Sequence, residues 1–211
     1  HMEGTDVILK YLYDSSLYPS LDTQEPFSFP KSKVLPHQLD QMLNKGLIAP
    51  CAPPAEPLFS YIFFLAEEEK HRLRILQDVL VWNVLLPDPP NPSFTPLKIL
   101  KRTVKFQFTA SFDFVCFYYQ IPYWEEVAKR FVFCVGDSFF YFKRAPMGFK
   151  WIVVIAQMIS VFLAKLPPHL SQHIDIQVYI DNIKFSSDSL DLLIEACALF
   201  RKKCDFYKVR I

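Results

Sequence analysis

Proline placement constrains this chain more than any other feature of its sequence. Pro87, Pro89, Pro90, Pro92 and Pro96 all fall within residues 84–100. Each removes a backbone donor and fixes φ, so this stretch forms neither a helix interior nor a central strand. It is expected to be a linker that separates two parts. Upstream, Pro50, Pro53, Pro54 and Pro57 force an extended path as far as Ser60. Residues 1–35 are polar, without a clean period, and are expected to be a surface extension. His1-Met2 looks like a remnant of cloning and is set aside.

Between the prolines the hydrophobic periods are legible. Leu39, Met42 and Leu43 lie at helical spacing, with Pro36 suited to the first turn and Gly46 to a C-terminal cap. The chain has only 4 glycines, well below the roughly 7% of an average protein, so each carries positional information. Residues 61–66 read as a buried strand. Leu73, Ile75 and Gln77 alternate with Arg74, Leu76 and Asp78 as a returning strand, with the charges of residues 67–72 at the hairpin tip. Val104, Phe106 and Phe108 alternate with Lys105 and Gln107, and a second apolar run, 110–114, follows. Residues 131–135 and 139–142 flank the turn signal Gly136-Asp137-Ser138. Residues 151–166 are apolar enough for a buried helix, and 176–180 with 183–185 form a hairpin around Asp181-Asn182. Leu190, Leu193, Ile194, Cys197 and Phe200 follow a helical period, with Ser187 or Asp188 as N-cap and Arg201, Lys202 and Lys203 at the far end. The expected fold class is α+β, an antiparallel sheet backed by two helices.

Composition narrows the function only loosely. The formal charge is +1, from 23 basic and 22 acidic side chains, which argues against a polybasic coat but leaves room for a local basic groove. Five cysteines, without CxxC spacing, suggest neither a disulfide framework nor a zinc knuckle, and point to a reduced, intracellular setting, cytoplasmic or nuclear. The longest apolar stretch, 151–156, is far shorter than the ~20 residues of a membrane span, and no signal pattern opens the chain. A membrane partner is not expected.

Chemistry concentrates on two acids. Asp113 and Asp181 each sit among aromatic and branched residues that otherwise belong inside a protein. A buried carboxylate is costly unless it is paired or holds a metal. One such acid can cap a turn or meet an arginine; two on strand-like segments of one small domain point to a shared metal site.

Around these acids the residues resemble the palm motifs of reverse transcriptases. Residues 110–122, Ala-Ser-Phe-Asp-Phe-Val-Cys-Phe-Tyr-Tyr-Gln-Ile-Pro, are similar to the first motif, with Tyr118 five places after Asp113. Residues 145–150, Ala-Pro-Met-Gly-Phe-Lys, continuing to Ala156-Gln157, resemble the next, and Val-Tyr-Ile-Asp-Asn-Ile at 178–183 resembles the Tyr-x-Asp-Asp hairpin. Residues 44–50 are similar to the fingers segment of retroviral and LTR-retrotransposon enzymes. Arg74, Asp78 and Asn83 match that group's Arg-x3-Asp-x4-Asn pattern, and residues 204–208 look like its last palm segment. The likeness runs from about residue 36 to residue 208.

The resemblance implies a polymerase palm with a ferredoxin-like or RRM-like core, residues 104–211, and a fingers subdomain, residues 36–103, interleaved around 122–146. It implies template-directed nucleotidyl transfer by an RNA-directed DNA polymerase, with an RNA or DNA template-primer and dNTPs as partners and two Mg²⁺ or Mn²⁺ ions as cofactors. Asp113, Asp181 and Asn182 would hold the metals, and Lys208 would protonate pyrophosphate. Arg74, with Lys70 and Arg72, would take the triphosphate. Tyr118 would lie under the sugar, and Met147, Gly148 and Lys150 would border the nucleotide, with Gly148 allowing its close approach. Asp78, Asn83, Gln157 and Tyr179 would serve template or primer. Two departures stand out. Asn182 replaces the second hairpin aspartate, removing a negative charge. Trp151, Ile152, Val153 and Val154 replace small residues and are expected to narrow the groove. No thumb follows, so further thumb and ribonuclease H regions of a parent polyprotein are expected partners. The alternative is a catalytically degenerate polymerase fold kept as a nucleic-acid-binding or scaffold module.

Overall fold

The structure is a computed structural model that describes residues 36–53, 61–67, 72–79, 83–84, 88–89, 105–123, 125–129, 132–145 and 147–211. The expected N-terminal extension, Lys70 and most of the proline-rich stretch lie outside the described residues. The chain divides into two compact units, residues 1–88 with 121–152, and residues 89–120 with 153–211.

In the first unit, helix α1 (Pro36–Asn44) leads into strand β1 (Ile48–Cys51). Gly46 ends the helix with φ 63°, and its N–H donates to the Leu43 carbonyl at 2.9 Å, as expected of a glycine cap. β1 was not expected, because prolines surround it. It forms the edge of a three-stranded antiparallel sheet, with Pro50 opposite Phe140. An edge strand is where a proline's missing donor does least harm. Strands β5 (Val132–Val135) and β6 (Ser138–Phe142) form a hairpin whose two-residue turn is Gly136-Asp137. Met42, Ile48, Phe133, Phe140 and Phe142 are buried together, with Leu39, Leu43, Ile75 and Val135 packed against them. Strands β2 (Tyr61–Glu67) and β3 (Arg72–Asp78) pair separately, in antiparallel register from Tyr61 opposite Asp78 to Glu67 opposite Arg72. A short helix α2 (Glu125–Ala128) completes the described part.

In the second unit, strands β4 (Phe108–Asp113), β7 (Asp175–Tyr179) and β8 (Asn182–Ser187) form an antiparallel sheet of order β4-β8-β7. The expected strand around Val104 to Phe108 begins only at Phe108, since residues 105–107 turn and bend. β4 alternates half-buried Phe108, Ala110 and Phe112 with exposed Thr109, Ser111 and Asp113, the period of a sheet with one covered face. Helix α5 (Leu190–Phe206) covers that face. Its Leu193, Ala196, Phe200 and Cys204 are buried, and the Phe200 ring lies 4.9 Å from Phe112 and 5.5 Å from Phe185. Ser189 is the N-cap, not Ser187 or Asp188, and accepts the Leu192 N–H. The Ser187 hydroxyl is already committed to the His173 carbonyl.

Helix α3 (Lys150–Ala164) begins in the first unit and continues into the second, and a short helix α4 (Pro168–Ser171) follows it. Lys203 of α5 donates to the Phe162 and Lys165 carbonyls at 2.8 and 3.1 Å. A cation at these end-of-helix carbonyls is favourably placed. Burial and the neighbouring Lys165 hold the Lys203 ammonium below its ordinary range. Mixed helices and antiparallel sheets make the fold α+β. Among the described residues no helix is long and apolar enough to cross a membrane.

Candidate active site

The β4-β8 register brings the acidic positions to one end of the sheet. Asp113, the last residue of β4, is opposite Asn182, the first of β8. The next amide, Phe114 N–H, donates to the Asp181 carbonyl at 3.1 Å. Asp113 is exposed and Asp181 half-buried. The expectation of two acids sunk among apolar residues is therefore corrected: strand alternation turns Asp113 away from the face where Phe112 packs, and Asp181 lies in a turn.

That turn is also corrected. The ladder closes with Tyr179 opposite Asn182, so the turn pair is Ile180-Asp181, and Asn182 belongs to β8. Ile180 has φ 54°, a conformation that costs a β-branched residue about 1–3 kcal/mol. Two side chains of α3 hold it. Ile180 N–H donates to Gln157 Oε1 at 2.6 Å, and Gln157 Nε2 donates to the Val178 carbonyl at 3.1 Å. The Ser160 hydroxyl donates to the Ile180 carbonyl. The structure thus places Gln157, expected at template or primer, against the hairpin backbone. Ser160 was not anticipated; a lone serine on an apolar helix carries no signal of such a contact.

The chain after α5 returns to the same end. Arg210 N–H donates to Gln120 Oε1 at 2.7 Å, Gln120 Nε2 donates to the Arg210 carbonyl at 3.0 Å, and Val115 N–H donates to that carbonyl at 3.1 Å. Gln120, on the 3₁₀ helix Phe117–Gln120, was also not anticipated. It ties the segment carrying Lys208 to the loop that follows Asp113. Lys208 is exposed, with φ 59°. Tyr118 is half-buried on that 3₁₀ helix, and Tyr179 is 39% exposed at the end of β7.

The described candidate nucleotide-binding residues of the first unit lie on strand β3 and on the loop before α3. Arg72 and Arg74 lie in β3, opposite Glu67 and Leu65, and Asp78 lies opposite Tyr61. Met147 bridges to Leu76, and Gln77 N–H donates to the Met147 carbonyl at 2.9 Å. Gly148 has φ 128°, and a Cβ there would sit 2.0 Å from the Gln77 carbonyl oxygen. The close approach that Gly148 permits is therefore to strand β3, which accounts for the glycine without a nucleotide. Asn83, expected at the template, joins this loop: its Nδ2 donates to the Gly148 carbonyl at 2.8 Å, and its Oδ1 accepts the Lys150 N–H at 2.9 Å. Lys150 Nζ pairs with Asp88 at 2.9 Å. Trp151, Ile152 and Val154 are 8%, 1% and 9% exposed, and Val153 is half-buried. Most of their bulk is packed inside.

Among the described residues no three histidine, cysteine, aspartate or glutamate side chains gather to hold a metal. The oxygen donors at the end of the β4-β8 ladder are two carboxylates and the Asn182 amide carbonyl. That donor set suits Mg²⁺ or Mn²⁺, which accept few protein oxygens and complete their shells with water and phosphate.

No family model and no curated protein matches the chain. Solved structures do. A foamy viral protease-reverse transcriptase dRH in complex with double-stranded DNA is similar at 18% identity and a TM-score of 0.69 over 89% of this chain and 32% of that one. A native Prototype Foamy Virus protease-reverse transcriptase matches at 19% identity and a TM-score of 0.65 over 87% of this chain and 24% of the other. Another foamy viral protease-reverse transcriptase, in complex with dsDNA, matches at 19% and 0.64 over 87% of this chain. The chain thus spans between 24% and 39% of the length of these structures. With sheets, hairpins and helices in this arrangement, the chain has a reverse-transcriptase-like fold.

Proposed function

We propose that this chain is the fingers and palm portion of an RNA-directed DNA polymerase of a retroelement, adding deoxynucleotides to a primer on an RNA or DNA template. The observation that carries the proposal is the meeting of Asp113 with the Asp181-Asn182 hairpin at the end of β4 and β8. Two carboxylates, Asp113 exposed at the end of β4 and Asp181 half-buried in the neighbouring turn, are what a site for divalent cations requires. Asp113, Asp181 and the Asn182 carbonyl would hold two Mg²⁺ or Mn²⁺ ions. When bound, such ions lower the pKa of the attacking hydroxyl and neutralise charge on the leaving pyrophosphate.

The chain's own residues then supply position and protons. Tyr118 would pack beneath the sugar and exclude a 2′-hydroxyl. Lys208, exposed on the strap tied down by Gln120, would give a proton to the leaving pyrophosphate. In the first unit Arg74, with Lys70 and Arg72, would contact the triphosphate, where a guanidinium binds phosphate oxygens in a bidentate manner. Lys150 would reach phosphate only by leaving Asp88, while Met147 and Gly148 would border the nucleotide from a loop held to β3. Asp78 and Tyr179 would face template or primer.

A second reading, a degenerate fold that binds nucleic acid without catalysis, is favoured by one observation, Asn182 at the hairpin. Primer extension with Mg²⁺ or Mn²⁺ on RNA and DNA templates separates the two. The chain, its Asp113→Ala form and its Asn182→Asp form are compared, each also supplied with a thumb region. Extension that Asp113→Ala abolishes is expected. Absence of extension from every form, including Asn182→Asp with the thumb, would sink the polymerase reading.

A further inference from the structure

Both backbone groups of Ile180 are taken by side chains of one helix. Its N–H goes to Gln157 and its carbonyl to Ser160, residues one turn apart on α3. Ser160 is 0% exposed, so its hydroxyl has been brought into the interior, where a polar group is tolerated only with a partner. That partner is the one turn residue whose φ, 54°, is disfavoured for its side chain. The Ile180 carbonyl also belongs to the peptide plane that ends on the Asp181 nitrogen. Fixing that carbonyl fixes the plane from which Asp181 departs, while the ladder on either side already fixes Tyr179 and Asn182.

We propose that Ser160, together with Gln157, is a positioning residue for Asp181: the pair holds the Ile180-Asp181 peptide in its disfavoured orientation and so aims the Asp181 carboxylate toward the end of β4. The clasp itself stands on the backbone geometry; its consequence for cation binding rests on the polymerase reading. The physics gives the device a signature. A glycine at 180 adopts positive φ without steric cost, so the clasp is needed to aim Asp181 when residue 180 is isoleucine and becomes dispensable when it is glycine. A hydrogen bond that only stabilised the fold would matter equally in both backgrounds.

The test is a double-mutant cycle on the full chain, with wild type, Ser160→Ala, Ile180→Gly and the double variant. Two readouts are followed: hydrogen exchange of the 179–182 amides, and Mn²⁺ binding measured by electron paramagnetic resonance. Ser160→Ala is expected to speed exchange at the turn and weaken Mn²⁺ binding about tenfold. The same change made on Ile180→Gly is expected to alter either by no more than about twofold. Equal losses in the two backgrounds, or no loss in wild type, would overturn the proposal. If Ser160→Ala does not fold, Ser160→Cys keeps the volume with a weaker donor and is held to the same comparison. If wild type takes up no Mn²⁺ at all, the metal site fails, while the exchange readout still decides the clasp.

Discussion

The β5-β6 and β7-β8 hairpins have the same outline and opposite chemistry. Each closes on two residues, the second an aspartate, and each has positive φ at the first, 60° at Gly136 and 54° at Ile180. This is the position where type II′ hairpin turns place glycine. Gly136 meets that demand alone, with nothing within 4 Å of where a Cβ would stand. Ile180 meets it only because Gln157 and Ser160 hold its backbone. The first turn is specified by its own residues. The second is held by helix α3 through residues 20 and 23 positions earlier in the chain, and it carries the acid on which the proposed chemistry depends. Strain kept at such a place and offset by neighbours is the pattern expected of functional turns.

Several changes test that contrast. The largest effect is expected at the second turn residues: Asp181→Asn should lower primer extension more than about 100-fold, the upper end of losses from residues that merely support a metal ligand, whereas Asp137→Asn should leave it within about twofold. Comparable losses from both would remove the distinction. Next comes Gly148→Ala, where a positive φ of 128° coincides with close contact to strand β3. The new methyl meets the Gln77 carbonyl oxygen at 2.0 Å, and the combined strain should cost about 3 kcal/mol and lower Tm by about 6–12 °C. Exchanging the turn residues should then be asymmetric in denaturant unfolding. Gly136→Ile is expected to cost about 1–2 kcal/mol, and Ile180→Gly to stay within about 1 kcal/mol, because relief of strain offsets the flexibility gained by the unfolded chain. A large loss from Ile180→Gly would mean that the isoleucine side chain, not the clasp, builds the turn. The smallest effect belongs to a local device far from either turn: Ser189→Ala removes the α5 N-cap and should cost about 1 kcal/mol without changing Mn²⁺ binding.

How much of this was legible differs from element to element. The helix ending at Gly46, the Gly136-Asp137 hairpin and the apolar stripe of α5 follow from side-chain period and turn chemistry, which are local. β1 was hidden because Pro50 argues against a strand until its edge position is known. The turn residues around Asp181 were shifted by one place, because isoleucine carries no turn signal, and the positive φ that places it in the turn comes from α3. The bulky run after Lys150 and the glycine at 148 both read as features of a groove. Gly148 answers an internal neighbour, the Gln77 carbonyl, and three of the four bulky residues are buried, contacts that no local pattern records.

The sequence by itself determined the α+β class, most of the strands and helices, and the two acids with the residue types around them, because those follow from periodicity, caps and motif order along the chain. Only the tertiary structure decided that Asp113 is exposed and Asp181 half-buried in a turn, that Asn182 pairs across from Asp113, and that Gln157, Ser160, Asn83 and Gln120 hold backbone in place. Each of these is a contact between residues distant in the chain. A hydrogen bond of that kind depends on which strand face and which helix turn meet in space, and no local pattern records it.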